Sequence, residues 1–211
     1  LVWNIKEVLF VKHFISRRNF LKAAGVTAAA SAMAAAVPQA SAGFLTGKDA
    51  AVTILYTNDV HTYIDNKSPK LTYAAIAAMK QGYVDEGKPV LLVDAGDHIQ
   101  GTAYGSMDDG ATIIELMNEA GYDIATLGNH EFDYGMARAK AIIKEADFPY
   151  VSCNWVDLRT GLRVLPAVKL FPAGGKWIAF VGITTPESFT KSTPAYFMNA
   201  KQTKYIYDIL G

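Results

Sequence analysis

Cys153 is the only cysteine in the 211 residues, so no disulfide can form within the chain and its stability must come from a packed core. It follows the apolar segment Pro149-Tyr-Val-Ser-Cys153 and reads as a buried, inert thiol. Charge of one sign is also lacking, since 20 basic residues balance 20 acidic ones. That excludes the strongly basic face a nucleic-acid polymer would require. No Leu-rich run of membrane-spanning length occurs. The long weakly polar stretch over residues 23–36 is built from Ala, Gly, Ser, Thr, Val and Met, a composition that partitions poorly into hydrocarbon. Histidine is scarce: His13, His61, His98 and His130 are the full set, and none follows His130.

The balanced charge hides an asymmetry. Residues 1–42 carry Lys6, Lys12, Arg17, Arg18 and Lys22 against Glu7 alone, which leaves 15 basic and 19 acidic groups in the rest. Within that basic leader, Ser16-Arg-Arg-Asn-Phe-Leu-Lys22 precedes the Ala-rich run, and Ala40-Ser-Ala42 closes it. A charged n-region, a weakly apolar h-region and a small-residue cleavage site stand in the order an export signal requires. The adjacent arginines resemble the twin-arginine signal, an address read by export machinery. Cleavage is expected after Ala42, leaving no stable membrane span, with the mature protein periplasmic or extracellular. An uncleaved N-terminal anchor is the alternative.

Beyond Gly43 short apolar runs alternate with helical patterns. Strands are predicted at Val52–Tyr56, Pro89–Asp94, Asp123–Leu127 and Tyr150–Cys153, and helices at Leu71–Gln81, Ala111–Glu119 and Met136–Ala146. Leu162–Leu170 and Trp177–Ile183 suggest a hairpin through Pro172–Lys176, and Lys204–Leu210 reads as the start of a helix. The alternation argues for an α/β protein with a largely parallel sheet and added antiparallel strands.

In such a sheet ligands bind beyond the carboxyl ends of the strands, and three of those exits are rich in polar residues. They read Asn58-Asp-Val-His61, Asp94-Ala-Gly-Asp-His-Ile-Gln-Gly101 and Gly128-Asn-His-Glu-Phe-Asp133. Each delivers carboxylate, amide or imidazole groups from a rigid strand into one crevice, as a mixed oxygen and nitrogen metal site requires. Packing alone asks for none of these residue types there.

Asp94-Ala-Gly-Asp-His-Ile-Gln-Gly-Thr102 and Ala125-Thr-Leu-Gly-Asn-His-Glu-Phe-Asp133 resemble the calcineurin-like metallophosphoesterases, and within them the secreted 5′-nucleotidase family. The likeness spans about Val52 to Ile183. It implies a four-layer α/β/β/α sandwich, incomplete at the C-terminus, and two divalent metal ions, zinc or manganese. Asp59 and His61 match ligands of the first metal, Asp97 the carboxylate bridging both, and Asn129 an amide ligand of the second. His130 matches the catalytic histidine and Asp133 the acid that orients it. The implied reaction is hydrolysis of phosphate esters of extracytoplasmic nucleotides by a metal-activated water. A 2′,3′-cyclic-nucleotide phosphodiesterase, a nucleotide-sugar hydrolase and a non-catalytic secreted fragment are the alternatives. Less specific roles exist for single residues: Asp59 as a turn cap, Asn129 in a left-handed turn position, Asp133 as a solvated acid. His98, beside Asp97, reads as an outer support or a partly exposed side chain.

The family's site is completed by later histidines and its nucleoside pocket by a C-terminal domain, neither of which this sequence supplies. Residues 43–211 therefore read as the N-terminal part of the metallophosphoesterase domain, expected to be inactive alone.

Overall fold

The computed structural model describes residues 51–64 and 72–211. The leader, with Arg17, Arg18 and the expected cleavage site at Ala42, lies outside the described residues, as does Leu71. The described chain forms two compact units. One comprises 51–55, Ala78–Leu92 and Leu170–Ala179, and the other 56–64, 72–77, Val93–Lys169 and Phe180–Gly211.

In chain order the elements are β1 (Thr53–Thr57), α1 (Tyr73–Asp85), β2 (Val90–Asp94), α2 (Ala103–Ser106), α3 (Ala111–Ala120) and β3 (Ile124–Ala125). A 3-10 turn (His130–Phe132), α4 (Met136–Glu145), β4 (Trp155–Asp157), β5 (Leu162–Arg163), β6 (Val168–Ala173) and β7 (Lys176–Val181) follow. The chain ends with α5 (Ser188–Lys191), a second 3-10 turn (Pro194–Phe197) and β8 (Tyr207–Ile209). Strands β1, β2 and β3 form one sheet in that order. The β2–β3 pairing is parallel, with Val93 opposite Ile124 and Asp94 opposite Ala125. Leu91 and Leu92 of β2 are fully buried, as a central strand covered on both faces should be.

Helix α3 buries Ile113, Ile114, Met117 and Ala120 on one stripe and stops at Gly121, whose positive φ of 75° lets its amide reach Asn118 O and Met117 O. Helix α1 runs past Gln81, its expected end, through Gly82, and the chain turns instead at Gly87, φ 67°. A glycine inside a helix weakens it but does not end it.

Three readings need larger correction. The Tyr150–Cys153 strand reduces to a single parallel bridge, Ala125 to Tyr150, because the Cys153 amide leaves that ladder for Gly182 O at 2.8 Å. Cys153 itself is half-buried rather than buried. The stretch 162–170 splits between β5, which pairs antiparallel with β4, and β6, whose hairpin with β7 turns at Gly174-Gly175. The C-terminal helix is absent: Tyr207–Ile209 is a strand antiparallel to β4. Buried Tyr207 and Ile209 flank half-exposed Asp208, a period of two that three residues are too few to announce from sequence.

Candidate metal centre

All the site residues lie in the second unit. Around the turn that carries Asn129 and His130, Phe132 packs edge-on against Trp155 at 5.3 Å between ring centroids and, tilted, against Phe197 at 5.1 Å. Both Phe132 and Trp155 are fully buried, so the exit of β3 rests on a rigid aromatic floor.

The other two exits fold onto each other. Asp59 N donates to Gly96 O at 3.1 Å and His61 N to Asp97 O at 3.0 Å. Asp59, His61 and Asp97 take left-handed backbone conformations, with φ 52°, 47° and 59°. Such angles cost free energy for residues with a side chain and persist where the surroundings over-determine them. Gly96 and Gly128 allow the close approach: a Cβ on Gly96 would lie 2.3 Å from Gly128 N, and one on Gly128 would lie 2.2 Å from Asp97 Oδ1.

One ligand atom from each of His61, Asp97 and His130 converges within 4.8 Å of the others. Asp59 stands at the edge of this cluster, with Oδ1 3.6 Å from His61 Nε2, and is the most exposed of the set. Asn129 is buried and makes no capping bond to the turn it precedes. Its φ of −82° is right-handed, which removes the left-handed-turn explanation for it. Asp133 Oδ2 lies 2.6 Å from His130 Nδ1 and is 21% exposed, so it is not a solvated acid.

The two imidazoles are held differently. His61 Nδ1 donates to Gln100 O at 3.1 Å, which leaves Nε2 as a neutral lone pair suited to a metal. Behind His130 Nδ1 stands the Asp133 carboxylate, which accepts from it and fixes the ring's tautomer and orientation. Asp97 is crowded by acids. Desolvation first, then Glu131 and the Asp59 side chain, push its carboxyl from an ordinary 3.8 up to about 6. A cluster of imidazole and carboxylate groups whose central acid ionises reluctantly fits divalent cations, which would reverse that cost.

Of the support beneath this cluster, the sequence reading named His98 as one of two alternatives and missed Glu131. His98 is fully buried, not partly exposed, with Nδ1 2.7 Å from Asp94 Oδ1 and Nε2 2.8 Å from Tyr150 Oη. Burial opposes its charge, but Glu131 and Asp94 outweigh burial and push it up to about 9. His98 is thus an imidazolium at neutral pH that offsets two buried carboxylates. Glu131 is also fully buried and binds backbone amides of both later exits. The sole signal for either was adjacency to a motif residue.

The Asp97 shift carries a signed expectation. With the folded value near 6 and the ordinary value 3.8, ionisation destabilises the metal-free fold. The penalty is absent below about pH 4 and complete above about pH 6. Asp97→Asn, which keeps the Oδ1 acceptor, should therefore raise the melting temperature of metal-free protein at pH 7.5 by more than at pH 4. Thermal denaturation in chelator at the two pH values measures it, and an equal effect at both would refute the assignment.

The chain belongs to the calcineurin-like phosphoesterase family, whose model matches residues 52–199. Members of this family use divalent metals. A twin-arginine translocation signal matches residues 15–37, so the protein is exported through that machinery. Among the described residues no helix is long and apolar enough to cross a membrane.

Similar proteins include the snake venom 5′-nucleotidase of Gloydius brevicauda, 34% identical over 70% of this chain and 28% of the relative. The 5′-nucleotidase of Homo sapiens is 35% identical over 68% of this chain and 28% of its own length. A crystal structure of a 5′-nucleotidase precursor from Thermus thermophilus superposes with a TM-score of 0.62 at 26% identity, covering 76% of this chain and 32% of that one. The chain thus spans under a third of these relatives.

Proposed function

We propose that this chain is the N-terminal metal-binding part of an exported 5′-nucleotidase that removes phosphate from nucleotides outside the cytoplasm. The observation that carries this reading is the convergence of His61, Asp97 and His130 within 4.8 Å. Asp133 backs His130 at 2.6 Å.

In this reading Asp59, His61, Asp97 and Asn129 would hold the divalent ions, Asp97 as the ligand common to both and Asn129 through its amide oxygen. Zinc and manganese both suit this donor set. When bound, the ions neutralise phosphoryl charge and lower the pKa of a water that can attack phosphorus. The chain's own residues supply orientation. Asp133 fixes the Nδ1 proton of His130, so Nε2 faces the crevice and can hold a proton near the phosphoryl oxygens as charge shifts. Gln100 O fixes the tautomer of His61, and the strained exits hold the donors in place before substrate arrives.

Residues 43–211 are the mature part after cleavage behind Ala42. The remaining metal ligands and the grip on the nucleoside belong to further parts of the full-length protein. There the α/β fold is completed to a four-layer α/β/β/α sandwich.

The test is substrate hydrolysis by the full-length exported protein with manganese or zinc, followed by chromatography of the products. AMP should be turned over faster than 2′,3′-cyclic AMP or UDP-glucose, and chelation should abolish turnover. A preference for the cyclic phosphate or the sugar nucleotide would replace the substrate assignment, and activity in chelator would remove the metal reading.

A further inference from the structure

Glu131 raises a question the proposed function does not answer. It is a carboxylate with no exposed surface, in the middle of the turn that carries Asn129 and His130. Neither lysine nor arginine pairs with it among the described ion pairs. Its nearest cation is His98, whose Nδ1 lies 3.4 Å from Oε1 but sits closer to Asp94, at 2.7 Å. A buried anion is retained only when hydrogen bonds replace its hydration.

Here those bonds come from backbone. Oε2 accepts from Asp97 N at 2.9 Å and from Gly128 N at 2.7 Å. Oε1 accepts from His98 N at 2.8 Å, with Ile99 N further off at 3.5 Å. None of the three shorter-range amides donates to another backbone carbonyl. One side chain therefore satisfies the orphan donors of two separate loops, the exit of β2 and the exit of β3.

The placement of the acceptors is specific. Oε2 alone bridges the amide of Asp97 to the amide preceding Asn129, so a single atom sets the spacing between the two loops. The spacing is closed from the other side, where His130 N donates to Asp97 Oδ1 at 2.8 Å. Between these ties the loops touch at Gly96 and Gly128, with no room for a Cβ on either. Backbone spacing and side-chain spacing are thus one quantity at this point.

We infer that Glu131 is a positioning residue: a buried anionic clip that fixes the distance between Asp97 and the Asn129–His130 pair, and through it the metal-holding geometry. The inference rests on the metal-site reading above. Glu131 touches no reacting atom; it acts through the two loops. Its charge also matters to the clip, because amides bind a carboxylate more strongly than a neutral amide oxygen. Glutamine in its place keeps the volume but turns one acceptor into a donor, aimed at an N–H that already donates.

The experiment uses the full-length protein with three sequences: unchanged, Glu131→Gln and Asp97→Ala. Calorimetry with manganese alone gives metal affinity, and amide NMR of the metal-free form gives the local geometry. Glu131→Gln should weaken manganese binding about 10–100-fold, the range for outer groups that orient ligands. The Asp97, His98 and Gly128 amide protons should shift upfield as their carboxylate partner is lost, while amides of α3 and α4 stay in place. A purely structural residue would instead move signals throughout the core.

Unchanged affinity with unchanged amide shifts in Glu131→Gln overturns the clip. If the unchanged protein itself binds no manganese, the metal reading falls and the clip with it. If unchanged protein binds manganese and Asp97→Ala does not, the metal reading stands whatever Glu131→Gln does. Should Glu131→Gln fail to fold, hydrogen exchange on the unchanged metal-free protein decides. The three amides should be protected by a factor similar to β2, and fast exchange there would refute the clip.

Discussion

Asp97→Ala is expected to bring the site down. In the proposed arrangement this carboxylate is the one ligand shared by both metals, and its Oδ1 also accepts the His130 amide at 2.8 Å. Alanine removes both at once. Metal content should fall from about two ions per molecule towards one or none, because an inner ligand has no substitute nearby. Turnover should drop by about 10³–10⁵, since losing an outer support alone costs about 10–100-fold and losing one positioned electrostatic group about 10²–10³.

Unfolding is the competing explanation, and stability measurements exclude it. Metal at 100 times its dissociation constant stabilises the folded state by about 2.7 kcal/mol, so the unchanged protein should melt higher with manganese than in chelator. Asp97→Ala should lose that increment while still melting cooperatively. Full metal occupancy with retained activity would end the two-metal assignment.

How much of this was legible in the sequence depended on where the information sits along the chain. Asp59, His61, Asp97, Asn129, His130 and Asp133 follow predicted strands directly, so their type and their place could be read together. Helices α3 and α4 declared themselves by ten-residue stripes, and Gly121 stops α3 in a left-handed conformation that glycine adopts without strain. Strands β4 and β8, of three residues each, had no period to display. Trp155–Asp157 exists because β5 and β8 flank it, a fact about residues 162–163 and 207–209.

Glu131 was missed, and His98 left between two roles, for a related reason. Each stands beside a motif residue, but its role lies in distant partners: 33 positions separate Glu131 from His98 N, and 52 separate His98 from Tyr150. Local pattern says only that the position is occupied by an acid or an imidazole. What that group does follows from the loops closing over it.

His130 and Asn129 are adjacent in sequence and should fail in different ways. The division comes from how each side chain is held. His130 has Asp133 at 2.6 Å behind Nδ1, which orients the ring and leaves Nε2 toward the crevice. Asn129 offers a neutral amide oxygen, a group that can ligate a cation but cannot exchange a proton at ordinary pH. Asn129→Ala should therefore act on metal affinity: occupancy falls, and raising manganese restores part of the rate. His130→Ala should leave metal content close to that of the unchanged protein while lowering kcat by about 10²–10⁴, the scale for a positioned acid–base group. Added metal should not rescue it. Asp133→Asn should be a milder copy of His130→Ala, about 10–100-fold, because the ring stays but loses the charge that orients it.

Proximity alone would give His61, Asp97 and His130 one common role, since their donors fall within the same 4.8 Å. Metal analysis of His130→Ala separates the two possibilities. If that variant is stripped of metal and recovers its rate with excess manganese, His130 is a ligand. The carboxylate behind it would then be supporting a metal-bound ring, and the acid–base group must be sought elsewhere in the full-length protein.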